Sequence, residues 1–298
     1  MKTAFIFPGQ GSQYVGMGKQ LYDRSSEVKR LYSMAGELTG LDIAALSFEG
    51  PEAGLNSDIA AQLCVYTCNE AYRLEAIASG LVPDFVTGYS MGFYSALVAA
   101  GVVSFADGLG MVKKAGELAL SESLPGTMGA VIGLDIKDIE GICAEASGDG
   151  AAWVSNINAA RQILISGEAG AVGRAVTLAV DKGALKAYVL DMGAAYHSPM
   201  MEGAARAFGD WLDGAAFARP TVPLLSYIDA RYLDGPDDIK DTVARQLCSK
   251  VLWKDSVLRL VADGVDSFVE VGPGSALSRM VRWVDRGVKV ASMDDKVR

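Results

Sequence analysis

The stretch Val86-Thr87-Gly88-Tyr89-Ser90-Met91-Gly92-Phe93-Tyr94-Ser95-Ala96-Leu97 constrains this chain more than any other. Phe85 and Val86 end a short apolar run after Pro83, which predicts a strand. Ser95 to Ala100 continues as a small, apolar helix. Between them, Gly88-Tyr89-Ser90-Met91-Gly92 is a G-x-S-x-G pentapeptide. In a nucleophile elbow the two glycines leave room for a strained turn that lifts the serine hydroxyl off the sheet edge. Free N–H groups and the dipole of the following helix then favour negative charge developing beside it. Taken alone, the pentapeptide also fits a tight β–α turn with Ser90 as a helix cap. The strand before it and the helix after it point to a nucleophile.

The chain has 298 residues, half of them apolar, enough for one large domain or one large and one small. A net charge of −9 argues against a nucleic-acid partner, which needs a basic field. The first seven residues are too short an apolar run for a signal peptide, and no apolar run approaches a membrane span. A cytoplasmic, monomeric enzyme without a membrane partner is expected. Cys64 and Cys68 lie one helical turn apart on an apolar segment, a core-packing pattern. With the only histidine far away in sequence, no metal site is expected, and without an export signal no disulfide is expected.

Residues 3–7 read as a buried strand running into Pro8-Gly9-Gln10-Gly11-Ser12-Gln13, a loop able to curl and turn N–H groups into a cleft or simply to join a strand to a helix. Residues 17–47 have apolar residues at helical spacing, among them Leu21, Val28, Leu31, Ala35 and Leu38. A second, mostly apolar helix spans 59–78. After the elbow helix, Ser104 is placed to cap a helix reaching about 122.

The character changes at 128. Strand 130–134, helix 136–146, strands 152–156 and 162–166, helix 170–182 and strand 185–190 follow in β-α-β-β-α-β order, that of a ferredoxin-like unit. The expected organisation is a large domain of 1–127 and 194–298 with a small inserted domain of 128–193, whose seam forms a cleft. His197 lies just after that seam. It is the only imidazole able to activate a serine near neutral pH, although a lone histidine can also be a packed residue. Beyond it, helix to 212, strand 222–228, helices 238–247 and 256–263, strand 267–271, helix 275–284 and strand 288–292 return to the large domain.

In this order, Phe7-Pro8-Gly9-Gln10-Gly11-Ser12-Gln13, the Gly88 to Leu97 elbow, Asn156-Ile157-Asn158, Tyr196-His197-Ser198-Pro199, Arg245-Gln246-Leu247 and Glu270-Val271-Gly272-Pro273-Gly274 resemble the malonyl-CoA:acyl carrier protein transacylase family, which also supplies acyltransferase domains of polyketide synthases. The resemblance covers nearly the whole chain. It implies an α/β fold, an α/β-hydrolase-like core with a mostly parallel sheet and a ferredoxin-like insert. It implies Ser90 as nucleophile, His197 as general base, the N–H groups of Gln10 and Met91 as oxyanion hole and the Gln246 carbonyl orienting the imidazole, with Asn158 near the site. No cofactor is implied: a coenzyme A thioester and the phosphopantetheine thiol of an acyl carrier protein are substrates, exchanged in ping-pong fashion.

The sequence departs from the family pattern in three places. Tyr89 stands where the family has His, and Phe93 where it has Glu. Ala115 stands at the position of the Arg that pairs with the free malonyl carboxylate, which predicts an acyl group without one. Lys113 and Lys114 are expected to face solvent. Tyr196 argues mildly against a branch next to the thioester, or simply packs at the seam. An acyl hydrolase using the same residues with water as acceptor is the alternative, and a non-catalytic carrier-docking module a further one. Docking an acidic carrier requires a basic patch, for which Lys182, Lys186, Arg279, Arg282 and Arg286 are candidates.

Overall fold

The computed structural model describes residues 2–297. Its strands are β1 (Lys2–Phe7), β2 (Phe85–Gly88), β3 (Thr127–Ile132), β4 (Ala152–Ala159), β5 (Gln162–Gly167), β6 (Lys186–Val189), β7 (Leu224–Leu225), β8 (Tyr232–Leu233), β9 (Val265–Glu270) and β10 (Lys289–Ser292). They form two sheets. The larger has the order β10-β9-β1-β2-β7-β8 and is parallel except for the β7–β8 pair. Ala4, Phe5, Ile6 and Phe7 of β1 are all buried, as expected of a strand covered by helices on both faces.

Register positions the site. Phe7 is paired with Gly88, so β1 and β2 end level and the loops after them leave the sheet side by side. The Tyr89 N–H donates to the Phe7 carbonyl at 2.9 Å. A Cβ on Gly9 would lie 2.5 Å from the Tyr89 carbonyl oxygen, and one on Gly92 would collide with the backbone of Phe7 and Pro8. Backbone meets backbone here, so only glycine fits at either position.

The 17–47 stretch divides into helices Lys19–Arg24, Ser26–Thr39 and Ile43–Phe48 rather than running on. Ser25 accepts from the Val28 N–H, Gly40 closes the second helix at φ 74°, and Asp42 accepts from the Ala45 N–H. These caps cut a continuous apolar pattern into pieces. Leu38, on the predicted buried face, is 50% exposed near that break. Helix Asp58–Ala78 is buried along most of its length and carries Cys64 and Cys68 as free, buried thiols. Burial pushes the Cys64 thiol up to about 11, away from reactivity. The expected strand 222–228 shrinks to Leu224–Leu225. The Ser226 N–H turns back to the Arg231 carbonyl at 2.8 Å, and the chain pairs with itself as β8.

The second sheet, ordered β4-β5-β3-β6, is antiparallel throughout and packs helices Ile136–Ala146 and Ala169–Asp181. It has its own buried cluster of aliphatic residues, including Val131, Ile139, Val154, Ile163 and Val172. The connecting strands meet at a neck, where Pro125 pairs with Ala194 and the Thr127 hydroxyl donates to the Leu190 carbonyl at 3.2 Å. A second tie joins β4 to the larger unit: Ile157 N–H donates to the Val251 carbonyl and Val251 N–H to that of Ser155, each at 2.8 Å. Among the described residues no helix is long and apolar enough to cross a membrane.

Candidate active site

Among the described residues three non-glycine residues have positive φ: Ser90 at 53°, His197 at 62° and Ala230 at 51°. Such conformations persist only where the surroundings impose them. At Ser90 the imposition comes from the elbow, whose Gly88 is closed on the backbone of Gly92 and Phe93. At His197 it comes from the turn after helix Pro236–Arg245. The His197 N–H donates to the Leu247 carbonyl at 2.8 Å, while the Ser198 hydroxyl donates to the Ala195 carbonyl at 2.6 Å.

The two strained residues meet. Ser90 Oγ lies 2.7 Å from His197 Nε2. The other ring nitrogen, Nδ1, faces two backbone carbonyls, Ser249 at 2.9 Å and Gln246 at 3.0 Å. Carbonyls only accept, so Nδ1 carries the hydrogen and Nε2 is left to accept from the serine hydroxyl. These carbonyls are available because the helix has just ended and has no further N–H groups for them. Gln246 is fixed in turn by its side chain, whose Oε1 accepts from the Tyr227 hydroxyl at 3.0 Å. Burial lowers the His197 pKa to about 4; the two carbonyls oppose the shift but do not cancel it. The ring is neutral at physiological pH, as a proton acceptor must be.

Beside the serine, the N–H groups of Gln10 and Met91 donate to no other group of the chain among the described residues. The Gln10 side chain anchors its loop: Nε2 donates to Asp58 Oδ1 at 2.8 Å, and Oε1 accepts from Gln62 Nε2 at 3.1 Å. Gln62 Nε2 also donates to the Tyr196 hydroxyl at 3.3 Å. Asp58 Oδ2 accepts from the Gly193 N–H at 2.9 Å, tying this network to the neck. On the other side of the serine, the Tyr89 hydroxyl donates to Asn158 Oδ1 and accepts from Asn156 Nδ2, each at 2.8 Å. The elbow is thereby latched to β4.

The Ser90–His197 pair opens onto a cleft of about 680 Å³, its mouth included, between the two sheets. Its walls include Ala115, Met128, Leu164, Leu190 and Tyr196, and among the described residues no Lys, Arg, Asp or Glu lines it.

The sequence matches the acyl transferase domain family over residues 4–295. The chain is 38% identical over 298 residues to the malonyl CoA-acyl carrier protein transacylase of Bacillus subtilis strain 168, covering 99% of this chain and 94% of that protein. The solved acyl-carrier-protein S-malonyltransferase of Burkholderia pseudomallei 1710b superposes with a TM-score of 0.95 at 32% identity, covering 100% and 99% of the two chains. A malonyl-transacylase solved in complex with its type II polyketide synthase acyl-carrier protein gives 0.94 at 30% identity, over 98% and 96%. The chain belongs to the acyl transferase domain family.

In this acyltransferase Ser90, His197, Gln10, Met91, Gln246, Tyr89, Ala115 and Tyr196 all line the one cleft. Phe93 and Asn158 do not. Phe93 is fully buried and meets the Tyr227 ring edge-on behind the wall, and Asn158 acts through Tyr89. Lys113 and Lys114 are half-buried rather than out in solvent; Lys113 Nζ donates to the Thr39 carbonyl at 3.3 Å, and neither lines the cleft. Of the proposed basic patch, Lys182 is engaged with Glu145 and Lys186 lies over the Tyr188 ring. Sequence reasoning missed Ser249, Asn156, Gln62 and Asp58. Ser249 acts through its backbone, which leaves no signature in residue type. Asn156 lay inside the motif already singled out, two residues before Asn158 on the same face of a strand.

Proposed function

We propose that this acyltransferase carries an acyl group without a free carboxylate from coenzyme A, through an ester on Ser90, to the phosphopantetheine thiol of an acyl carrier protein. The observation that carries the reading is the neutral cleft around a strained Ser90–His197 pair. As Ser90 Oγ attacks the thioester carbonyl, its proton passes to His197 Nε2. The charge developing on the carbonyl oxygen meets the free N–H groups of Gln10 and Met91, donors already in place before the reaction begins. Collapse breaks the C–S bond, and the imidazolium returns the proton to the departing coenzyme A thiol. The carrier thiol repeats the sequence in reverse: it gives its proton to Nε2, attacks the ester, and Ser90 recovers the proton. Nδ1 stays bound to the Gln246 and Ser249 carbonyls throughout, so the ring keeps its orientation as it charges and discharges.

The acyl preference follows from electrostatics. A carboxylate entering this cleft would find no cation on the walls, and the charged side chain joined to the wall residues is Asp58, of the same sign. An uncompensated buried ion costs several kcal/mol. Ala115 leaves apolar room where a guanidinium would otherwise pair. The fold is read as an α/β-hydrolase-like core with a ferredoxin-like insert at 128–193. The parallel sheet with the elbow after β2, and the separate antiparallel sheet with its own core, support that division.

Intact-protein mass spectrometry tests this. After exposure to acetyl-, butyryl- and malonyl-CoA, the uncharged acyl groups are expected on the wild-type chain, and none on Ser90→Ala. Preferential malonyl loading would overturn the acyl assignment. Addition of a phosphopantetheinylated carrier is expected to move the adduct to the carrier thiol; release of free acid instead would make the protein a hydrolase.

A further inference from the structure

Four tyrosines line the cleft: Tyr89, Tyr94, Tyr196 and Tyr227. Three of their hydroxyls have partners, in Asn156 and Asn158, Gln62, and Gln246 respectively. The fourth does not. Tyr94 is 2% exposed, and its buried hydroxyl has no hydrogen-bond partner. A buried hydroxyl left unpaired is costly, and its persistence beside a substrate cleft points to a partner that arrives with the substrate.

Tyr94 sits one turn beyond the elbow on helix Gly92–Ala99, which packs against helix Phe105–Ser121 bearing Ala115. Burial, together with the neighbouring Tyr196, holds the Tyr94 proton on well above the ordinary phenol range, so it remains a neutral donor. The cleft thus offers a buried, unpaired, neutral hydroxyl donor beside apolar walls, with no charged side chain lining it among the described residues.

We propose that Tyr94 selects acyl groups carrying an uncharged oxygen on the third carbon, as a 3-oxo or 3-hydroxy group. The inference rests on the uncarboxylated reading above and specifies its substrate class. In a malonyl group the third carbon is the carboxyl carbon. Replacing one of its oxygens by methyl gives 3-oxobutyryl, similar in size, neutral, and still bearing an oxygen that accepts from the Tyr94 hydroxyl. The terminal methyl occupies the room left by Ala115. A 3-hydroxy group accepts from Tyr94 in the same way. A site built to hydrogen-bond an oxygen rejects the analogue that lacks it, because its own polar groups are then left unpaired.

The experiment compares initial rates of Ser90 acylation, read as coenzyme A release and confirmed by intact mass, for butyryl-, 3-oxobutyryl-, 3-hydroxybutyryl- and malonyl-CoA. In the wild type, one or both oxygenated substrates are expected to exceed butyryl at least about tenfold in kcat/KM. In Tyr94→Phe that ratio is expected to fall to within about twofold of one, with a Tm equal to or above wild type because only an unpaired hydroxyl is lost. Equal wild-type rates for butyryl and both oxygenated substrates would overturn the proposal, whatever the variant does, and so would an undiminished ratio in Tyr94→Phe. Preference for malonyl over all three would overturn the uncarboxylated reading beneath it. Loading of none of the four would overturn both.

Discussion

In the proposed reaction His197 handles every proton, and among the described residues no carboxylate hydrogen-bonds to its ring. Its pKa of about 4 against an ordinary 6.5 has two consequences. The acid limb of kcat/KM, which reports the free enzyme's base, is expected near pH 4, with activity flat from about pH 5 to 8; a limb near 6.5 would show that the ring is hydrated. Stability follows the same shift with a definite sign. Between pH 6.5 and 4 the unfolded chain takes up a proton that the folded chain refuses, so stability falls as pH falls through that window. The full shift amounts to about 3 kcal/mol. Urea unfolding of wild type and His197→Gln at pH 7 and pH 4.5 checks this: the wild type is expected to lose more. At this scale the sequence was informative where function rests on side-chain identity. Ser90 and His197 are marked by residue type and motif. The Ser249 carbonyl belongs to the backbone, and any residue at that position supplies it equally; the N–H groups of Gln10 and Met91 were reached only through the family resemblance.

Elements align these groups, and the contacts between elements are where substitutions bite. Gly92 lies against the backbone of Phe7 and Pro8. Gly92→Ala would force β1 and the elbow helix apart, with an expected loss of about 3 kcal/mol in urea unfolding. Tyr89→Phe would leave Asn156 Nδ2 and Asn158 Oδ1 buried without a partner and unfasten the elbow from β4. The expected cost is about 2 kcal/mol, with kcat/KM lower by about tenfold as Ser90 loses its alignment. The strong periodic elements were legible: helix Ile136–Ala146 matches its expected span, and Ser104 caps helix Phe105–Ser121 through the Asp107 N–H as read from the sequence. Short elements were not. The two-residue strand β8, the four-residue helix Glu52–Leu55 and the terminal helix Met293–Val297 carry too few residues for a period to register. The break at Gly40 went unread because apolar spacing reports a face and not its interruptions.

At the scale of the molecule, two cores of unequal quality share one cleft. The larger is rich in aromatics such as Phe5, Tyr66, Phe93, Phe208 and Trp253, whereas the buried residues of the smaller are all aliphatic or Cys143. Aromatic side chains bury the most area per residue, so the smaller core holds its sheet less firmly. Hydrogen exchange is expected to strip protection from 136–146 and 169–181 before the amides of β1 and β9; simultaneous loss would show the two cores to unfold as one. The β-α-β-β-α-β order of 128–193 could be read from strand and helix periods. The tie from β4 to Val251 could not, because it joins residues nearly a hundred positions apart through backbone groups alone.

The pair of carbonyls that grips Nδ1 has a consequence for the balance sheet of hydrogen ions. With that nitrogen committed, one atom, Nε2, handles every proton, and each one it borrows must be handed back before the next thiol can react. Exchange of one thioester for another therefore leaves an unbuffered solution at its starting acidity. Diversion of the acyl group to water would liberate an acid at every cycle, so a pH-stat trace alone tells the two fates apart.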